Sequence, residues 1–398
     1  MWQKNLRILW FANWVTAVGM MAMVPFLTYF VEEIGIKDPE SRNRWAGVLV
    51  GAAPIVAALM GPLWGGIGDR YGRRRMVLRA LLAIVVFVGL MGFVRDPWTM
   101  LVLRILQGAF SGYVPPSITM ISVQAPNDKQ TYVAGKIQST IPAGAVGGYI
   151  LGGVLAHMGS IRLIFPVCSA LALVGFLVAL TSTEEQALET AKDGAVGRKS
   201  VFAKIGADYR YVLAMPTLVK LLIGLTVVRC SLSTADPNFA HFVEELGGDE
   251  FTAGLTMSLQ SLLLLIMMPR WGRFSDEGSP ALTLAICSVG TAVAFYGQAL
   301  AGAVWQVIAL RALTGFFLAG IFPAGYGLAA RSTPPERRGS AIGVVFMALA
   351  LSHALGSIVG GELLNLLGFR PLLATIATAA LLLGGAAVLR LAQRREAA

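Results

Sequence analysis

Apolar residues run along this chain in blocks of about 20 or more, broken by short polar or glycine-rich stretches. A helix rising 1.5 Å per residue needs about 20 such residues to cross the ~30 Å hydrocarbon core of a bilayer. Twelve blocks qualify, at roughly 6–30, 45–67, 76–94, 98–123, 135–157, 161–181, 216–243, 252–269, 280–301, 304–329, 339–365 and 370–391. They predict an all-α membrane protein with 12 transmembrane helices. The longest polar stretch, from Thr181 to about Arg210, divides the blocks six and six. The expected organisation is therefore an N-terminal half over 1–181, a cytoplasmic linker over 182–212 and a C-terminal half over 213–398.

The two halves repeat each other. Pro25-Phe26-Leu27-Thr28-Tyr29-Phe30-Val31-Glu32-Glu33-Ile34-Gly35 returns as Pro237-Asn238-Phe239-Ala240-His241-Phe242-Val243-Glu244-Glu245-Leu246-Gly247, 212 residues later. Trp64-Gly65 and Asp69 return as Trp271-Gly272 and Asp276, and Trp98, Arg104 and Gly108 as Trp305, Arg311 and Gly315, all at offset 207. Gly152-Gly153 and Arg162 return as Gly360-Gly361 and Arg370 at offset 208. Four matches in one order and nearly one register point to duplication, hence two pseudo-symmetric six-helix bundles. In transporters built this way the substrate site is expected near the membrane midplane, where the repeats meet.

Composition agrees. The 398 residues are 56% hydrophobic and 14% charged, against roughly 25% charged in soluble domains. A net charge of +10 would suit a nucleic-acid partner only if it were clustered on a polar domain, and none is present. Twenty-two of the 32 Lys and Arg fall on the side of the termini and six on the other, so both termini are expected in the cytoplasm of a bacterial inner membrane. Cys168, Cys230 and Cys287 lie in apolar blocks and read as small hydrophobes, with no metal-ligand spacing.

Between the second and third blocks stands Gly65-Gly66-Ile67-Gly68-Asp69-Arg70-Tyr71-Gly72-Arg73-Arg74. It resembles the signature loop of the major facilitator superfamily, and with twelve helices and a central loop the resemblance covers the whole chain. It implies the major facilitator fold and a gating latch formed by Gly65, Asp69, Arg70, Gly72, Arg73 and Arg74. The second copy departs from the pattern, with Glu277 and Gly278 in place of Arg70 and Tyr71, so the first copy is expected to carry the latch. Leu103-Arg104-Ile105-Leu106-Gln107-Gly108 is similar to a second family motif, which implies a role for Arg104 in proton coupling; a structural pair is the alternative. Gly144, Gly148, Gly152 and Gly153 resemble the motif of the superfamily's exporters, except that Tyr149 stands where its proline belongs; close helix packing explains them equally well.

Charge inside a span is costly and marks function by default. Arg229 and Asp236 sit in the seventh block on one helical stripe, about 10 Å apart in rise, and have no charged counterparts at Ala17 and Val24. Asp236 is the first candidate for a proton carrier, with a kink before Pro237 as the other reading. Asn13, Met20, Tyr29, Gln107, Tyr113, Gln138, Asn238, Gln260 and His353 are candidates for lining a central cavity, Met20 because methionine adapts to varied apolar shapes.

The function expected is secondary active transport by a monomer in the lipid bilayer, resembling the drug:proton antiporter branch. It would exchange protons for small lipophilic or drug-like compounds by alternating access, with the proton gradient as energy source, no cofactor or metal and no nucleic-acid partner. Export or symport of a specific metabolite, sugar or anionic compound is the alternative, and Arg229 suits an anion. An enzyme is not expected: the three histidines lie in different blocks without a His-Glu-x-x-His spacing, and no phosphate-binding loop supports a nucleotide-driven pump.

Overall fold

A computed structural model describes residues 1–126, 129–159, 161–184, 214–333 and 338–396. Among them every regular element is helical: α1 (Trp2–Met23), α2 (Leu27–Glu33), α3 (Pro39–Tyr71), α4 (Arg73–Met91), α5 (Pro97–Phe110), α6 (Val114–Gln124), α7 (Gln130–Gln138), α8 (Thr140–His157), α9 (Ile164–Ser182), α10 (Pro216–Ala235), α11 (Phe239–Glu245), α12 (Glu250–Glu277), α13 (Pro280–Leu300), α14 (Val304–Arg331), α15 (Arg338–Leu367) and α16 (Phe369–Glu396). Ten segments among the described residues are long and apolar enough to cross a membrane. The other two expected spans are α4, whose first turns carry Arg73, Arg74, Arg75 and Arg79, and the pair α5–α6.

Proline explains where apolar blocks split. The first block breaks at Pro25 between α1 and α2, and the seventh at Pro237, where Asp236–Asn238 form a 3-10 turn between α10 and α11. A proline has no amide hydrogen to continue the helical ladder and clashes with the preceding turn. The fourth block, expected as one helix over 98–123, ends at Phe110 and restarts at Val114, with Pro115 and Pro116 in the first turn of α6. Its counterpart α14 keeps only one proline, Pro323, and runs unbroken.

The chain divides into two compact units, Met1–Ala195 with Asp249–Ser258, and Val196–Gly248 with Leu259–Ala398. Each holds the same contacts. In the first, Trp64 Nε1 donates to the Ala109 carbonyl at 2.6 Å; in the second, Trp271 Nε1 donates to the Phe316 carbonyl at 2.8 Å. A Cβ on Gly108 would lie 2.3 Å from the Ala53 carbonyl oxygen, and one on Gly315 would lie 2.1 Å from that of Gln260. Arg162 covers the Phe30 ring and bonds the Gly92 carbonyl, while Arg370 covers Phe242 and bonds the Ala299 carbonyl. Every one of these pairs keeps the offsets of the sequence repeat.

Helix starts follow from local chemistry. Asp38 accepts from Ser41 N at 2.9 Å with Pro39 following, Asp96 from Thr99 N with Pro97 following, and Asp249 from Thr252 N at 2.8 Å. Each carboxylate satisfies one of the orphan donors of a first turn.

Candidate functional site

In the second unit the break at Pro237 places Asp236 at the end of α10, deep in the protein with part of its side chain still accessible. Two arginines act on it electrostatically, Arg311 more strongly than Arg229. Arg311, on α14, is 1% exposed and is the largest fully buried side chain among the described residues. Its guanidinium carbon sits 3.9 Å over the Phe239 ring and 5.7 Å from the centre of Phe295. Aromatic faces hold a cation electrostatically, so Arg311 is fixed between two rings.

Arg229 is the second of these arginines. It is half-buried on α10, 5.8 Å over Phe322, and its charge acts on His353 of α15 and Tyr326 of α14 as well as on Asp236. Ser233 connects these groups: its hydroxyl lies 2.7 Å from His353 Nδ1 and donates to the Arg229 carbonyl at 2.7 Å. The result is one carboxylate, two guanidiniums, an imidazole and a phenol gathered from three helices of one bundle. Asn238, in the 3-10 turn, is 2% exposed and neither end of its amide makes a hydrogen bond.

The equivalent place in the first unit is built without acid. Arg104 is 3% exposed and donates to Gln107 Oε1 at 3.1 Å; Gln107 Nε2 in turn reaches the Met20 sulfur at 3.5 Å. Asn13 is fully buried and accepts from the Ser117 hydroxyl at 3.4 Å, beside half-buried Tyr113. The Tyr29 ring lies tilted against Phe26, with centroids 6.2 Å apart. Arg104, Gln107 and Met20 are therefore brought together, whereas Gln138 is exposed at the end of α7. Gln260 serves the second unit's packing through its carbonyl, against Gly315.

The exporter-like glycines resolve into two groups. Cβ atoms on Gly144, Gly148 and Gly152 would lie 2.5, 2.4 and 2.1 Å from Ala17 Cβ, Val18 O and Ala22 O of α1, so this ladder lets α8 lie against α1. Gly153 faces Glu250 and Gly254 instead. In the second unit Gly356 and Gly360 press on Cys230 and Thr234 of α10 in the same way.

The signature stretch is not a loop. Gly65, Gly66, Asp69 and Arg70 lie in the last turns of α3, and the placement of their side chains lies outside the described residues. The turn is Gly72 alone, at φ 104°, a conformation that disfavours any residue with a Cβ. Arg73 starts α4, and Arg74 donates to Thr183 Oγ1 at 3.0 Å and to the Leu180 carbonyl, capping the end of α9.

Spacing reasoning missed Tyr326, Ser233 and the electrostatic influence of Arg311 on Asp236, which lie on separate helices. The repeat already singled out Arg311 as the image of Arg104.

The chain is 29% identical over 374 residues to the multidrug resistance protein MdtG of Proteus mirabilis, covering 93% of this chain and 91% of that protein. It is 28% identical to the multi-drug resistance efflux pump PmrA of Streptococcus pneumoniae, covering 90% and 88%. Among solved structures it resembles a bacterial homologue of the human lysosomal transporter Spinster, in an inward-facing and occupied conformation, with TM-score 0.79, 14% identity and coverage of 96% and 95%. The nucleoside transporter NupG gives a TM-score of 0.78 at 14% identity, covering 97% and 98%. The family model of the Major Facilitator Superfamily matches residues 9–228 and 221–398. With duplicated six-helix halves, a multi-pass membrane architecture and a match over nearly its whole length, the chain belongs to the Major Facilitator Superfamily.

Proposed function

We propose that this protein is a proton-coupled exporter of small lipophilic or drug-like compounds in the bacterial inner membrane, working by alternating access with both termini in the cytoplasm. The multidrug relatives support the cargo class, and the excess of basic residues on one side supports the orientation. The observation that carries the coupling is Asp236: a carboxylate deep in a membrane helix, at a proline break, facing Arg311 and Arg229. In its ionised form it balances one arginine; on protonation that balance is lost, so the proton biases one arrangement of the bundle over another. Tyr326, His353 and Phe322 give a neutral cargo aromatic and hydrogen-bonding surface beside it. The signature stretch at Asp69 sets the balance between the two access states.

A second reading has its own support. Arg229 is half-buried while Arg311 is the stronger partner of Asp236, which leaves a positive excess suited to an anionic group on the cargo.

Proteoliposomes with an imposed pH gradient and a panel of cationic, neutral and anionic compounds test both. Proton-driven movement of cationic or neutral compounds, abolished by Asp236→Asn in a well-folded variant, is the expected result. Saturable transport of anions alone favours the second reading, and normal proton coupling in Asp236→Asn removes Asp236 from the mechanism.

A further inference from the structure

Helix α13 carries a stripe that its repeat partner lacks. Thr283, Ser288, Thr291 and Gln298 share one face with Phe295, and all are buried. At offset 207, which holds on both sides of this helix, their counterparts on α4 are Met76, Leu81, Ile84 and Met91, and that of Phe295 is Val88. Those five are buried and wholly apolar. The same bundle position therefore packs well with hydrocarbon alone, and the polar version is not a packing requirement.

It is moreover left partly unsatisfied. Thr283 donates to Ser279 O, and Gln298 Nε2 to Thr314 Oγ1 at 2.9 Å, but Ser288 Oγ, Thr291 Oγ1 and Gln298 Oε1 are buried with no hydrogen-bond partner. Orphaned oxygens of this kind cost free energy, so an additional role offsets them. The positions of Thr291 and Gln298 name it. Arg311 sits between Phe239, three residues beyond Asp236, and Phe295, which is one turn from both Thr291 and Gln298. Thr314, bonded to Gln298, is one turn from Arg311 on α14.

We propose that Thr291 and Gln298 form a neutral counter-site for Arg311, which receives the guanidinium when Asp236 is protonated. This rests on Asp236 as the proton carrier. The chemical step is simple protonation: a proton from solvent forms an O–H bond on the carboxylate, with no redox change. Without the counter-site that step strands a buried cation, and Asp236 is held ionised; with it, the arginine exchanges a nearby negative charge for neutral oxygens. The other titratable groups around the pair are Arg229 on α10, His353 on α15 and Tyr326 on α14, while α13 brings no charged residue. The first unit needs no such device, since Arg104 already has the neutral Gln107. The two residues are positioning residues, acting through Arg311.

The test is the pH profile of transport in proteoliposomes for Thr291→Val and Gln298→Met, singly and together. The combined variant is expected to move the pH of half-maximal transport toward acid by about one unit, a tenfold loss of proton affinity. Thr291→Ser is expected to keep the wild-type profile. Thr291→Val nearly preserves shape and carries the test if the combined variant fails to fold. A purely structural stripe would lower the melting temperature without moving the profile, and an unmoved profile in folded Thr291→Val and Gln298→Met overturns the proposal. Asp236→Asn separates the two ideas: if it loses coupling while the stripe variants keep the wild-type profile, only the counter-site fails. If it retains coupling, the assignment of Asp236 fails too.

Discussion

Arg104 and Arg311 occupy the same position in two copies of one bundle, yet they live in different electrostatic surroundings. Arg104 bonds a neutral amide one turn away on its own helix. Arg311 answers a carboxylate on another helix and lies between two aromatic rings. An arginine with a neutral partner is insensitive to protonation, whereas one that faces an acid changes its surroundings with every proton bound. The two frames match, and a few positions differ: Val24 against Asp236, Ala17 against Arg229, and the apolar stripe of α4 against the polar stripe of α13.

The comparison can be broken most directly at the arginines. Arg311→Met leaves Asp236 short of its stronger counter-charge and is expected to destabilise by about 3 kcal/mol, whereas Arg104→Met loses a bond to an amide and costs about 1–2 kcal/mol. Thermal melting of the two purified variants checks the ratio, and equal losses would show that Asp236 does not distinguish the halves. Next come the helix crossings. Gly148→Ala and Gly356→Ala each drive a Cβ to within 2.4 and 2.0 Å of a carbonyl oxygen. Both are expected to cost about 2 kcal/mol or more, read as lost melting temperature or yield.

A smaller, matched effect is expected at the tryptophans. Trp64→Phe and Trp271→Phe each remove one indole hydrogen bond to a carbonyl and are expected to cost about 1 kcal/mol apiece. A clear inequality in melting temperature would show that the two copies have diverged even in their frame. The smallest effect concerns the caps. The Thr252 hydroxyl and amide hold the Asp249 carboxyl below the usual range, as Ser41 does for Asp38. A depressed carboxylate contributes stability above its ordinary range and loses it as pH falls through the folded value, below about pH 4. Asp249→Asn and Asp38→Asn should flatten the acid limb of the melting curve, lowering the melting temperature slightly at neutral pH and leaving it unchanged below the folded carboxyl range.

Much of the frame was legible in the residues alone, because bilayer thickness forces apolar blocks to declare themselves and the repeated Pro25, Trp64, Arg104 and Gly152 kept register through duplication. The breaks were less so: an apolar average reads straight through Pro25, Pro115 and Pro237, which interrupt hydrogen bonds without lowering hydrophobicity. The signature stretch looked like a loop because glycines and arginines usually end helices, yet only Gly72 leaves the helix. Asp236 and Arg229 announced themselves as charges in hydrocarbon. Their relation to Arg311, Tyr326 and His353 was hidden, since it arises between helices whose rotation no spacing specifies. The α13 stripe was hidden for another reason: a lone Ser or Thr in an apolar helix is ordinary, and only alignment with Leu81 and Ile84 makes it a difference.

The one-residue turn at Gly72 has a mechanical consequence. Between the 33-residue α3 and the 19-residue α4 the backbone offers just two soft rotations, φ and ψ of a single glycine. The 33-residue helix is a lever of about 50 Å, so a 10° change at this joint sweeps its far end through roughly 9 Å. A torsion of that size at one end of α3 thus corresponds to a displacement of nearly a nanometre at its other end.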